Sequence, residues 1–167
     1  MFLIVYALII MYTVRVSLVF VTLGFQVAFG CPDGWSEFDG SCYSVQSQEL
    51  NWMDAMDACH KAHSYVVEIG SKKENDFLEH LTGQKQDEIF WLGGSDAVVE
   101  DHWRWMSEYQ TFNYTNWYQD EPNNLDQGES CIAAVHSASR FEWRDYHCED
   151  KNKFICEMRG GSWMVVG

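Results

Sequence analysis

The chain has 167 residues, with 25 acidic against 11 basic side chains. Because Arg15 is the only charged residue in 1–30, the formal charge is −14 for the whole chain and −15 for residues 31–167. This length favours a single folded domain, and the charge disfavours nucleic acids and anionic membrane surfaces, which are bound through clustered Lys and Arg. Eight Trp, eight Tyr and ten Phe also argue against intrinsic disorder.

Segment 1–30 is typical of a secretory signal peptide. Its apolar run ends with small residues at the two positions that a signal peptidase reads, which predicts cleavage before Cys31 and secretion. A start at Met11 rather than Met1 would give an ordinary signal peptide, with Arg15 as its basic residue. The alternative is a signal anchor, but Arg15 inside the membrane would cost a few kcal/mol. We therefore expect no stable membrane anchor.

Two helices are predicted next along the chain. Apolar residues at i, i+3, i+4 and i+7 indicate the first, over 47–63. These residues are Trp52, Ala55, Met56 and Cys59. The second helix begins at a capping box, from Ser71 to Glu74, and ends at Gly83, a residue that favours helix termination.

Short apolar or alternating runs predict six strands around and after these helices. They cover 65–69, 89–93, 103–106, 131–135, 141–145 and 153–157. Between the third and fourth runs, residues 107–130 show little periodicity and are rich in Asn, Asp, Glu, Gln, Thr and Tyr. Irregular segments of this length are uncommon in compact domains and are often functional.

All six cysteines lie in 31–167, and six cysteines in a small exported domain usually form three disulfides. Spacing alone leaves many connectivities open. Local geometry favours two pairs that each bracket a hairpin-like segment, and it leaves a third that would join the first helix to the last strand. The three pairs are Cys31–Cys42, Cys131–Cys148 and Cys59–Cys156. No cysteine then remains to link chains, so a homo-oligomer, if formed, is expected to be noncovalent.

Several short motifs follow one another along residues 31–158. They are Cys31-Pro-Asp-Gly-Trp-Ser, Cys42-Tyr, Ala55-x-x-x-Cys59, Trp91-Leu-Gly-Gly94, Asn116-Trp117, Glu121-Pro122-Asn123, Trp143-x-Asp145 and Phe154-Ile-Cys156-Glu157. Their order and spacing resemble the long form of the C-type lectin-like domain. The resemblance implies an α+β fold with two helices, two small antiparallel sheets, a long calcium-binding loop and the same three disulfides. A short tail, 159–167, would follow the domain.

The resemblance also implies a calcium site formed by Glu121, Asn123, Glu129 and Asp145. Calcium is a hard cation that takes about six to eight oxygen ligands, and these side chains supply carboxylate and amide oxygens. In the family the peptide bond before Pro122 is cis, so that the side chains on either side of it point the same way.

The same four residues are expected to bind carbohydrate. Two adjacent sugar hydroxyls would each place one lone pair on the calcium, donate a proton to Glu121 or Glu129, and accept from an amide such as that of Asn123. The Glu-Pro-Asn order resembles the mannose-type pattern, which accepts the vicinal hydroxyls of mannose, N-acetylglucosamine or fucose-like sugars. The expected partners are therefore glycans, and the expected role is glycan recognition or agglutination in innate immunity.

Position 144 departs from the family pattern, because Arg144 stands where the family has Asn between Trp143 and Asp145. An arginine supplies only donors and a positive charge, and at ~4 Å from calcium the repulsion would cost several kcal/mol at an effective dielectric near 20. We expect one of three outcomes. The side chain swings outward, it contacts an anionic sugar or phosphate, or calcium affinity is weakened or lost.

A second, auxiliary calcium site is only partly present. Asp96 and Glu100 match the family, with Glu129 shared, but Asn124 and Ser130 replace two of its acids. The resemblance therefore implies a site that is weak or empty. Separately, Asn113-Tyr-Thr115 is an N-glycosylation sequon.

Two other function classes compete with a lectin. An enzyme is not expected, because carboxylates crowded beside an amide on one loop fit a cation cage better than a glycosidase pair. The stronger rival is a module that binds a protein or anionic ligand without calcium-dependent sugar recognition, since folds are reused for new partners.

Overall fold

The computed structural model describes residues 30–83, 87–137 and 140–160, with Asp126 described only by its backbone. Residues 1–29 of the predicted signal peptide and residues 161–167 of the predicted tail lie outside the described residues. None of the helices in the described ranges is long and apolar enough to cross a membrane.

Two α-helices and nine strands form the described domain. The helices are α1 (Trp52–Lys61) and α2 (Lys72–Leu81). The strands are β1 (Ser36–Phe38), β2 (Ser41–Leu50), β3 (Tyr65–Val66), β4 (Ile89–Ser95), β5 (Arg104–Trp105), β6 (Gln110–Thr111), β7 (Glu129–Ser137), β8 (Arg140–His147) and β9 (Asn152–Arg159). The six predicted strands are all present, with shifted ends. The segment predicted to be irregular contains β6 and a short 3₁₀ turn, Leu125–Gln127.

Both helices begin at polar caps. The Asn51 side chain accepts a hydrogen bond from the Asp54 amide at 2.8 Å, and Ser71 caps α2 by accepting from the Glu74 amide at 3.2 Å. The prediction that the first helix begins at 47 was wrong, because residues 47–50 belong to β2. Strand β2 pairs with β9, which is remote in sequence, through 41–46 and again at Leu50, with an irregularity between them.

The strands form one hydrogen-bonded network with two arms that meet at β4. One arm contains β1, β2, β3 and β9, and the other contains β5, β6, β7 and β8. Strand β4 runs parallel to β9 and antiparallel to β7, so it joins the two groups of antiparallel strands that the resemblance described as separate sheets. The fold class, α+β with a C-type lectin fold, is confirmed.

The predicted disulfides are all formed: Cys31–Cys42, Cys59–Cys156 and Cys131–Cys148. The second ties α1 to β9 across 97 residues of sequence, a closure that stabilises by ~4 kcal/mol in the chain-entropy model. The third joins the start of β7 to the residue that follows β8, at the edge where the candidate site lies.

Trp143, on β8, is fully buried at the centre of an aromatic cluster beneath the long loop. Its ring lies edge-on to those of Trp105, Phe112, Tyr114 and Trp117, with centroid distances from 5.5 to 6.1 Å. Its indole nitrogen donates to the Oδ1 of buried Asn75 on α2 at 2.9 Å. The long loop therefore packs against an apolar, aromatic cluster.

Candidate functional site

The long loop is held against β8 by backbone hydrogen bonds. The amide of Trp143 donates to the carbonyl of Asn116, and the amide of Tyr118 donates to the carbonyl of Trp143, both at 2.8 Å. The Asn116 side chain also donates to the carbonyl of Phe141 at 2.8 Å. These bonds hold the loop on β8 just before the polar residues 121–129.

The Glu121–Pro122 peptide bond is cis, as the resemblance implied. The side-chain amide of Asn123 donates to Oε2 of Glu121 at 2.8 Å, so the two side chains meet on one side of the loop. An acid and an amide therefore sit next to each other at the loop surface, where both can contact a ligand.

Asp145 connects this loop to β8. It is only 3% exposed, and its Oδ1 and Oδ2 accept from the backbone amides of Asn123 at 3.1 Å and Asn124 at 2.7 Å. Hydrogen bonds that a charged carboxylate accepts are stronger than those between neutral groups. Asp145 thus has two roles, because it orients the loop and also brings a carboxylate to the site.

Glu129, the first residue of β7, closes the other end of the turn. Its Oε2 accepts from the Leu125 amide at 2.8 Å, and its own amide donates to Oδ1 of Asn124 at 3.2 Å. This reciprocal pair holds residues 124–129 in a compact turn. The four predicted site residues therefore lie around one small region, although they come from a loop and two strands.

Negative charge is concentrated in that region. Burial raises the pKa of Glu121 to about 7, and the adjoining carboxylate of Asp145 adds to the effect, whereas Arg144 opposes it. Burial also raises the pKa of Glu129, partly offset by the hydrogen bond from Leu125. Carboxylates pressed together in this way hold protons more tightly, and they offer hard oxygens to a cation.

Arg144 stacks on an aromatic ring and forms no salt bridge with these carboxylates in the described ranges. Its Cζ lies 4.3 Å from the centroid of the Tyr118 ring, a cation–π distance. The side chain is half-buried, and its Nε is buried without a hydrogen-bond partner among the described residues. The guanidinium therefore contacts Tyr118, and which of the three expected outcomes holds for calcium stays a prediction.

The auxiliary acids also come together. Asp96, Glu100 and Asp101 place carboxylate oxygens within 4.8 Å of one another, and Oδ1 of Asp96 is buried without a hydrogen-bond partner in the described ranges. Asn124 turns its amide nitrogen toward Oε1 of Glu100, so it acts there as a donor. Burial, and secondarily the charge of Glu100, raises the pKa of Asp96.

Sequence reasoning missed one residue and one contact of this region. Asp101 joins the auxiliary acids from a turn residue with φ of 62°, and only its position directly after Glu100 hinted at that role. Tyr118 was not connected with Arg144, because the two are 26 positions apart and meet only through the pairing of the loop with β8. The sequon residue Asn113 is exposed, and its glycosylation stays a prediction.

Comparison with known proteins identifies the family. The Lectin C-type domain model matches residues 48–158. The chain is 32% identical over 129 residues to a perlucin-like protein of Mytilus galloprovincialis, with 75% of this chain and 81% of that protein aligned. The chain therefore belongs to the C-type lectin domain family.

Two solved structures agree with this assignment. One is the C-type carbohydrate-recognition domain of cow CD23 in the presence of GlcNAc2Man3 oligosaccharide, with a TM-score of 0.70, 30% identity, and 78% of this chain and 97% of that chain covered. The other is a Ca2+-dependent type II antifreeze protein in its Ca2+-free form, with a TM-score of 0.69, 30% identity, and coverage of 77% and 99%.

Proposed function

We propose that this protein is a calcium-dependent lectin that binds mannose-type glycans through Glu121, Asn123, Glu129 and Asp145. The observation that carries the proposal is the convergence of these four side chains around the cis Glu121–Pro122 bond. Family membership supports it, because one structural neighbour is a carbohydrate-recognition domain and another is a Ca2+-dependent protein.

The donor set fits calcium. Three carboxylates and one amide supply hard oxygen ligands, and the concentrated negative charge favours a divalent cation. Arg144 supplies no oxygen to this set of ligands, and its guanidinium stacks on Tyr118. Bound calcium would supply open coordination positions for two adjacent hydroxyl oxygens of a sugar.

The chain's own residues would then complete the recognition of those hydroxyls. Glu121 and Glu129 would each accept a hydroxyl proton, while the amide nitrogen of Asn123 would donate to a hydroxyl lone pair. Because the acid precedes the amide in Glu121-Pro122-Asn123, the order of acceptor and donor favours the mannose-type arrangement. Affinity for a single sugar should be low, and strong binding would require several sites on one ligand array.

Calorimetry and affinity chromatography test this function together. We expect heat on titration with millimolar calcium, retention on mannose-agarose in calcium, and elution by a chelator. The matched variant exchanges the two groups, Glu121→Gln with Asn123→Asp, and so keeps volume and charge but reverses hydrogen-bond polarity. It should lose mannose retention and gain galactose binding. Absence of calcium heat, or retention unaffected by chelator, would contradict the proposal.

The rival function, a module that binds a protein or anionic ligand without calcium, is favoured by one observation. Arg144 replaces an oxygen donor of the family pattern with a cation. Retention of a partner in chelator would support this rival.

We further propose secretion after cleavage before Cys31, which N-terminal sequencing of the secreted protein would test, and a role in glycan recognition or agglutination in innate immunity.

A further inference from the structure

Arg144 is held in place beside the proposed sugar site. Its neighbours in the strand, Trp143 and Asp145, are buried, and its guanidinium lies over the ring of Tyr118. The backbone of Tyr118 is itself fixed, because its amide donates to the Trp143 carbonyl and its carbonyl accepts from the Glu121 amide at 3.1 Å. The cation thus lies over Tyr118, which is three residues before the Glu-Pro-Asn motif.

The Tyr146 hydroxyl interacts with this guanidinium, but most of its five N–H donors have no partner among the described residues. Among the described residues, no carboxylate lies within salt-bridge distance of Arg144, although Glu121 and Asp145 are close in the fold. Its Nε is buried without a hydrogen-bond partner in the same part of the chain. Because Nε is buried, a ligand would accept from the two terminal nitrogens instead, and its charged hydrogen bonds would replace those that these nitrogens make to water.

The planar guanidinium matches anionic oxygens best. Its donors form a fork that binds carboxylate, sulfate or phosphate groups through two parallel hydrogen bonds, and stacking on an aromatic ring limits the side-chain entropy that binding must remove. A neutral sugar offers no group with that geometry. An acidic substituent on the sugar ring held by Glu121 and Asn123 does, and Tyr118 would form the adjoining wall.

We propose that Arg144, stacked on Tyr118, is a specificity-determining residue that binds an acidic substituent of the saccharide whose vicinal hydroxyls occupy the site at Glu121 and Asn123. This inference rests on the proposed lectin function. The substituent is a carboxylate, a sulfate ester or a phosphate ester, since all three present the same anionic oxygens.

The surrounding charges make this recognition conditional. Residues 31–167 carry a formal charge of −15, and Glu121, Glu129 and Asp145 repel an anion at close range. That repulsion falls when calcium neutralises the carboxylates. Preference for acidic saccharides should therefore require calcium, and it should weaken at high ionic strength because added salt screens the interaction between the guanidinium and the anion.

Calorimetric competition at saturating calcium tests the proposal with pairs of sugars that share a vicinal diol. The pairs are glucose with glucuronic acid, N-acetylglucosamine with its 6-sulfate, and mannose with its 6-phosphate. At low salt, at least one acidic member should bind about tenfold more tightly than its neutral partner, the effect of one charged hydrogen-bonding contact. The pair with the largest ratio identifies the acidic group.

Three variants make the test specific. Arg144→Gln should bring the acidic-to-neutral ratio close to one, and Arg144→Lys, which keeps charge but loses the fork, should give an intermediate ratio. Arg140→Gln removes the same charge from the same strand and should keep the wild-type ratio, because Arg140 pairs with Glu142 instead.

Equal affinity within every pair for the wild-type protein would overturn the proposal, as would a preference that survives in Arg144→Gln. These results are distinct from failure of the lectin function itself. If neutral and acidic sugars both fail to bind while calcium is present, the proposed function and the inference that rests on it fall together.

Discussion

Asp145→Asn is the most informative single change in the site, because it alters two hydrogen bonds without altering volume. In the wild-type protein the two carboxylate oxygens accept from the amides of Asn123 and Asn124 at 3.1 and 2.7 Å. An asparagine retains one acceptor and turns a donor toward the other amide. One charged hydrogen bond is lost, the other becomes neutral, and two donors face each other. We expect a loss of about 2–4 kcal/mol from the free energy of unfolding.

Urea denaturation in the presence of a chelator measures this loss without any contribution from calcium. Asp120→Asn is the matched control, because it removes the same charge from an exposed residue of the same loop and should stay within about 0.5 kcal/mol of wild type. Amide hydrogen exchange provides a local measurement. The amides of Asn123 and Asn124 should lose protection in Asp145→Asn and keep it in Asp120→Asn.

A second series with calcium separates the two roles of Asp145. Bound calcium stabilises the folded state in proportion to the logarithm of its concentration above the dissociation constant, so the wild-type protein should gain stability and Asp145→Asn should gain little. If the variant is no less stable than Asp120→Asn in chelator, and the two amides remain protected, then Asp145 does not hold the loop as described.

Two further predictions concern the scaffold. Burial, and next the charge of Glu74, raises the pKa of Glu157 from 4.5 to about 7, so the folded protein keeps a proton that the unfolded chain releases in that range. Stability should therefore fall by up to ~3 kcal/mol as pH rises from about 4.5 to 7, and urea denaturation of Glu157→Gln should show less of this fall. Gly93→Ala places a Cβ 2.4 Å from the Val66 carbonyl oxygen, so it should lower the free energy of unfolding by about 1–3 kcal/mol, measured with heat or urea. Gly70→Ala is the control, because the nearest atom to its added Cβ is 3.8 Å away, and it should be close to neutral. Equal effects of the two variants would contradict this packing.

The helices show what local sequence can and cannot predict. The spacing of Trp52, Ala55 and Cys59 correctly indicates the buried face of α1, and Ser71 correctly indicates the start of α2. The beginning of α1 was placed too early, since no local signal reveals that residues 47–50 continue β2. Strand β2 continues that far because β9, at the far end of the chain, pairs with it at 41–46 and again at Leu50.

The candidate site was predictable only through family resemblance. Composition and spacing indicate that residues 107–130 are polar and irregular, but they do not bring Asp145 to that loop. The link depends on the bridge between Trp117 and Trp143, which pairs residues 26 positions apart. The role of Asp101 and the contact between Tyr118 and Arg144 escaped prediction for a related reason, because a turn and a stacking contact have no periodic signature.

The alternation of β8 explains how position 144 can change without loss of the loop. Successive side chains of a strand point to opposite faces, so Trp143 and Asp145 share the buried face while Arg144 lies on the other. Trp143 provides the aromatic packing beneath the loop and Asp145 accepts the two hydrogen bonds from the loop backbone, and both residues lie on the buried face. A substitution between them therefore leaves the frame of the site in place and changes the chemistry offered beside it, which here is a guanidinium stacked on Tyr118.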